Sequence, residues 1–424
     1  MKAARRILFV QHAGSPGGSV MSLRYLVQGL VARGVDVAVA MVEPNVVVRA
    51  MYEGDGARVF DTPEIPLYRH TTAGWAHLGD PRACFYQAKA HAKASRGLRV
   101  LEALVGELQP DIVHLNSVTL ALMARALVAA PTPVVWHVRE SPVDGYLGIR
   151  RRMLRRWLET YADEVIFLSE SDRTAWVDGR RGIVVPNVVP ARTAPSADAI
   201  RATRAEFGAG DGDRLVAYVG GYQEIKGIFP LVDAVRSLLP DHPRLRILAP
   251  GMTLSRPTSW KARLARRVMP AIGLARDYER AATIVEAEGA SHAFLRRPFV
   301  QDVLPVLAAA EFLVFPSTRP HFARPVVEAA TVGRAAVGSR LGGVSDLIED
   351  GRTGLLVRPD DPAALADAMR LLLGNPARAA AMGLAAAELA RTRFDADAQI
   401  DRVMAIYSDV ISRGRASSGC RPAA

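Results

Sequence analysis

The sequence predicts an α/β protein: two tandem Rossmann-like, doubly wound parallel-sheet domains facing a cleft. Three observations carry this. Short apolar runs such as RILFVQ, VDVAVAMV and PDIVHLNS alternate with stretches of helical spacing over residues 1–190. The alternation stops in PARTAPSADAIRATRAEFGAGDGDR, a segment rich in small residues, Pro, Gly and charge, and restarts at RLVAYVGG. The runs are continuously apolar rather than alternating, which suits strands covered on both faces.

Taken in order, RILFVQHAG reads as a first buried strand. Its basic front resembles a signal peptide, but no apolar stretch reaches the usual ~7–15 residues with a small-residue cleavage site. Ser19 to Arg33 carries apolar residues at helical spacing, and Gly34 closes it. VDVAVAMV, PDIVHLNS, PVVWHVRE, DEVIFLSE and GIVVPNVV follow as strands. A domain boundary is placed near Ala191. Beyond it, RLVAYVGG, RLRILAPG, HAFLRRPF, EFLVFPST, AAVGSRL and GLLVRP repeat the strand pattern, with a helix from about Ile228 and another opened by Asp361 and Pro362 as cap and first-turn residue. The expected domains are 1–190, 191–394, and a terminal helix and tail over 395–424. Met252 to Ala290 is long and basic around Trp260 and fits no element.

Composition narrows the function classes. A chain of 424 residues that is 50% hydrophobic and 23% charged buries substantial cores and is not disordered. Its cysteines, Cys84 and Cys420, lie too far apart for a disulfide framework or a metal-ligand spacing, so a reducing cytoplasm is expected. No run approaches the ~18 apolar residues of a membrane helix. The net charge of +11 points to nucleic acid, an anionic membrane surface or anionic substrates. No helix-turn-helix, zinc or aromatic-platform pattern supports nucleic acid. The run GIRRRMLRRWLETYADE, with Arg150, Arg151, Arg152, Arg155, Arg156 and Trp157, suits either a solvated helix face or an anionic lipid surface.

Ligands of such sheets sit beyond the carboxyl ends of the strands, so the loops there are the places to look. GSPGGSV puts Gly17 and Gly18 before a helix, where the backbone can approach an anion. YVGGYQEIKG places Lys226 after a glycine-rich loop, within reach of a phosphate at the sheet edge. In FPSTRPHFARPVVEAATVG, Pro325 suits the first position of a helix that Gly333 ends. The amides of Phe322, Ala323 and Arg324 could then face a diphosphate. Glu328 could cap its helix or accept from two ribose hydroxyls. Gly342 and Gly343 form a second glycine turn. His137 ends an apolar strand beside Arg139 and Glu140. Asp211 with Asp213, and Asp395 with Asp397, form D-x-D pairs of the kind that hold a divalent ion, but loop and cap roles explain them better.

The order of these pieces resembles family 4 of the glycosyltransferases, the large retaining family of GT-B fold, over nearly the whole chain. The resemblance implies that Gly17 and Gly18 lie against the donor phosphates or sugar, and that His137 reaches the donor sugar. It further implies that Lys226 contacts the diphosphate, Phe322 to Arg324 present amides to it, and Glu328 holds the ribose. The catalytic set is then His137, Lys226 and Glu328. Residues 1–190 become the acceptor side and 191–394 the donor side, with the terminal helix crossing back to the first domain. The expected partners are an NDP-sugar donor of UDP or GDP type as co-substrate and a glycan or lipid-linked acceptor. No cofactor, metal or nucleic acid is expected, and the location is cytoplasmic, against an anionic inner membrane face. Two positions depart from the family pattern: Pro320 stands eight residues before Glu328 where the family has glutamate, and Gly221 five before Lys226 where it often has arginine. They motivate one alternative, a non-catalytic nucleotide- or glycan-binding protein of this fold. A nucleotide-sugar epimerase is the other.

Overall fold

The computed structural model describes residues 4–414 except 69, 72–73, 76–80, 128–130, 145, 180, 190–193, 254–281, 284 and 286–288. The basic segment around Trp260 lies outside the described residues. The chain divides into two compact units, Met1–Pro190 with Phe394–Ala424, and Ala191–Arg393.

The first unit contains β1 (Arg6–Gln11), β2 (Asp36–Met41), β3 (Arg58–Asp61), a short antiparallel pair β4 (His70–Thr71) and β5 (Gly74–Trp75), then β6 (Ile112–Leu115), β7 (Val134–Val138), β8 (Glu164–Phe167) and β9 (Ile183–Val184). Seven of these form one parallel sheet in the order β3-β2-β1-β6-β7-β8-β9. Successive residues of β1 serve opposite faces: Leu8 and Val10 join one apolar layer, Ile7 and Phe9 the other. GIVVPNVV yields only two strand residues, because Pro186 has no N–H for a ladder. The helix Ala396–Arg413, capped by Asp395 on the Ala398 amide at 2.8 Å, packs Ile400, Val403 and Tyr407 into the layer of Ile7 and Phe9. Ile400 rests on Gly29, where an added Cβ would stand 2.0 Å from its Cδ1.

The second unit holds β10 (Arg214–Ala217), β11 (Leu245–Pro250), β12 (Phe294–Arg297), β13 (Phe312–Phe315), β14 (Ala335–Ser339) and β15 (Gly354–Val357), parallel in the order β12-β11-β10-β13-β14-β15. Val216, Ile247, Val314 and Val337 pack against Leu231 and Val235 of the helix Ile228–Leu238 and Met369 of the helix Pro362–Gly374. Asp361 caps the latter through the Ala364 amide at 2.9 Å. Strand order reverses between β1 and β6 in one sheet and between β10 and β13 in the other. Those reversals open crevices at the carboxyl ends of the strands.

Candidate active site

At the reversal in the second sheet, two loops are tied together. One leaves β10 through Gly220 and Gly221, makes a single 3-10 turn at Glu224–Lys226, and enters the helix Ile228–Leu238. The other leaves β13 and enters the helix Arg324–Thr331. The Thr318 amide donates to the Ile225 carbonyl and its hydroxyl to the Glu224 carbonyl, both at 3.1 Å. Gly227, at φ +79°, lies so close to Pro316 that an added Cβ would stand 1.7 Å from its carbonyl oxygen. Only glycine permits both the left-handed backbone and that approach. Gly221, at φ +58°, is likewise left-handed, which gives the departure from arginine at this position a backbone reason.

This junction gathers cations. Burial, then the charge of Arg324, pushes the Lys226 ammonium down to about 8. Burial, then Lys226, pushes the His321 imidazole down to about 4, so this ring is neutral at pH 7. Arg324 is the first residue of its helix, one position before Pro325, so the helix starts a residue earlier than expected. Its Nε faces the Glu328 carboxylate at 3.3 Å, and its Nη1 is buried without a hydrogen-bond partner among the described residues. Glu328 is 6% exposed and pairs with Arg324 rather than capping the helix. The expected amide row at Phe322 to Arg324 needs a correction: the Ala323 amide already donates to the Gly343 carbonyl at 3.4 Å and the Arg324 amide to the Phe322 carbonyl at 3.1 Å. Arg319 and Pro320 are exposed.

In the first unit, Gly17 caps the helix Gly18–Ala32. Gly14 has a packing reason for lacking a side chain, since a Cβ there would meet the Glu43 carbonyl oxygen at 2.0 Å. Gly17 and Gly18 have none. Neither has a positive φ; a Cβ on Gly17 would meet only the Ser15 carbonyl oxygen at 3.7 Å, and one on Gly18 nothing within 4 Å. Open space beside two glycines at a helix start is what close approach of a ligand requires. Replacing Gly18 with alanine should therefore leave the melting temperature unchanged or raise stability by up to about 1 kcal/mol. Activity should fall roughly 10- to 100-fold through a displaced ligand. Thermal melts and rates measured on the same preparation check both halves.

His137 lies near the end of β7, with its Nε2 buried and without a hydrogen-bond partner among the described residues. It is 3% exposed, lies 5.3 Å from the His114 ring, and its Nδ1 is 3.4 Å from Arg139 Nη2. Burial, then Arg139, holds its pKa well below the usual imidazole range. Strand β7 carries it into the interior, and the polar groups at the edge are its neighbours. Arg139 donates from Nε to Asn116 Oδ1 and from Nη1 to Asn187 Oδ1, both at 2.5 Å. Glu140 accepts from the Ser117 hydroxyl at 2.5 Å and lies 3.7 Å from Nε2 of His12, at the end of β1. His12, Asn116 and Asn187 were not singled out in the sequence; each stands just past or well beyond a strand end with no motif to mark it. The Asp pairs have structural roles: Asp213 accepts from the Gly210 amide at 2.7 Å, and Asp395 caps a helix. In the basic helix Ile149–Tyr161, Trp157 packs against the core, Arg151 and Arg155 pair with Asp144 and Glu159, and Arg152 and Arg156 are exposed. No helix among the described residues is long and apolar enough to cross a membrane.

Comparison with known proteins places these features in a family. The model for a glycosyl transferase 4-like domain matches residues 17–191, and that for glycosyl transferases group 1 matches residues 213–375. The D-inositol 3-phosphate glycosyltransferase of Nocardia farcinica is 31% identical over 284 residues, covering 65% of this chain and 56% of that one. That of Corynebacterium kroppenstedtii is 30% identical over 239 residues, with 55% and 49% covered. The chain thus spans about half the length of these relatives. The glycogen synthase of Mycobacterium tuberculosis is 27% identical over 418 residues, covering 92% of this chain and 91% of that one. Among solved structures, HepE of Anabaena, crystallised with UDP and glucose, superposes with a TM-score of 0.73 at 18% identity, over 96% of this chain and 99% of that one. Sucrose-phosphate synthase of Thermosynechococcus elongatus does so at 0.73 and 20%, over 97% and 100%. These likenesses show the GT-B fold.

Proposed function

Because the chain belongs to the group 1 glycosyltransferases of family 4, we propose that it moves a sugar from a nucleotide-diphosphate sugar to a hydroxyl acceptor with retention at the anomeric carbon. The observation that carries this is the half-buried cationic pair Lys226 and Arg324 where the second sheet reverses. A diphosphate supplies the negative charge this junction needs. As the bond from the anomeric carbon to the diphosphate breaks, its electron pair stays on the phosphate oxygen, and the cations stabilise that charge. The acceptor hydroxyl forms the new bond, and its proton passes to the departing oxygen.

The second unit is assigned the donor, with Glu328 toward the ribose. Gly17 and Gly18 are assigned close backbone approach to the donor, and the edge formed by Arg139, Glu140 and His12 the acceptor. The nucleotide-sugar acts as co-substrate, of UDP or GDP type, and the acceptor is a glycan or lipid-linked glycan. Arg152 and Arg156, beside exposed Leu147 and Ile149, support contact with an anionic membrane from the cytoplasmic side. Incubation with UDP- and GDP-sugars and glycan acceptors tests the reading: a product whose new bond keeps the donor's anomeric configuration by NMR supports it. Nucleotide binding without release of free nucleotide from any donor would replace it with the non-catalytic alternative.

A further inference from the structure

His321 carries the next step. Its Nδ1 lies 3.0 Å from the Arg319 carbonyl oxygen. A carbonyl only accepts, so Nδ1 bears the proton and Nε2 is left as a lone-pair acceptor. That Nε2 is buried and has no hydrogen-bond partner among the described residues. The ring makes edge contact with Phe315, at 5.5 Å between centroids, and the residue's main chain is held by Gly343. Gly343 packs onto the loop so tightly that an added Cβ would stand 2.4 Å from the His321 carbonyl carbon. A fixed, buried acceptor beside cations is incomplete until a donor reaches it.

The chemistry of the donor substrate decides which group that is. At neutral pH a diphosphate offers only acceptors, so it satisfies Lys226 and Arg324 and cannot satisfy His321. The groups next to a bound diphosphate that do carry donors are the ribose and sugar hydroxyls, and Glu328 is assigned the ribose. We propose that His321 recognises a hydroxyl of the transferred sugar, accepting its hydrogen bond at Nε2. The inference rests on the donor reading above and deepens it. The exposed neighbour Pro320 offers no side-chain acceptor, so sugar selection on this loop falls to a neutral imidazole rather than a carboxylate.

Calorimetric titration of the full chain with UDP, UDP-glucose, GDP and GDP-mannose tests it. His321→Ala is expected to weaken the nucleotide-sugar that binds by about three- to tenfold, the worth of one neutral hydrogen bond. The parent nucleotide should be unaffected, which also shows that the variant is folded. His321→Gln, whose side-chain oxygen can accept, should recover most of the loss. Among mono-deoxy forms of that sugar, one should bind wild type and His321→Ala equally. Equal weakening of nucleotide and nucleotide-sugar, or no change in either, overturns the assignment while leaving the donor reading intact. If wild type binds none of the four ligands, the donor reading falls and this inference falls with it.

Discussion

Replacing Lys226 with alanine is expected to lower the transfer rate by roughly 10²–10³-fold, the usual consequence of removing one preorganised donor from a developing anion. The pH dependence gives the sharper test. In the ligand-free unit the ammonium is pushed down to about 8, because it is desolvated and stands beside Arg324. Diphosphate binding needs the charged form. Nucleotide affinity should therefore be flat below pH 8 and fall as pH rises through it. Stability has the opposite sign. The unfolded lysine titrates near its ordinary 10.5, so between pH 8 and 10.5 the unfolded chain binds more protons than the folded one. The ligand-free protein accordingly gains stability as pH rises through that window. Lys226→Met should lose both effects, so differences between wild type and this variant isolate them from other titrating groups. A wild-type affinity that is flat to pH 10 would remove Lys226 from the diphosphate.

Much of the fold was legible because buried parallel strands write themselves as short apolar runs, and because caps such as Asp361 precede their helices directly. The position of Lys226, after a glycine-rich loop and just before a helix, was legible too, although its place beside Arg324 was not. The first unit's polar edge was not. His137 lies inside β7 and Arg139 just past its end, so only the point where β7 ends separates the two, and the sequence does not mark it. His114 illustrates the same limit over distance: its Nδ1 meets the Tyr407 hydroxyl at 2.7 Å across a separation of 293 residues. Nothing local announces such a contact. No motif marks His321; its tautomer is fixed by the Arg319 carbonyl, a contact that only the loop's fold supplies.

Gly227→Ala is the substitution expected to cost most in stability. Position 227 is left-handed at φ +79°, and the alanine Cβ would stand 1.7 Å from the carbonyl oxygen and 2.5 Å from the carbonyl carbon of Pro316. The backbone cost is about 1–2 kcal/mol, and overpacking adds roughly 1–3 kcal/mol. Rotating a side chain cannot relieve it, because the obstacle is main chain. The loop is also tethered on both sides. The Gly227 amide donates to Glu224 at 2.8 Å, and the Gly227 carbonyl accepts from Leu231 at 3.1 Å. Relief must come from separating the β10 loop from the β13 loop, which draws Lys226 away from His321 and Arg324. The variant should thus melt earlier and also lose its response to nucleotide. Gly374→Ala is the control: that residue ends a helix, and nothing stands within 4 Å of its missing Cβ. It should be neutral or slightly stabilising. A Gly227→Ala protein that melts like wild type and still binds nucleotide would mean that the two loops are not held together as described, and that the cationic site does not depend on their junction.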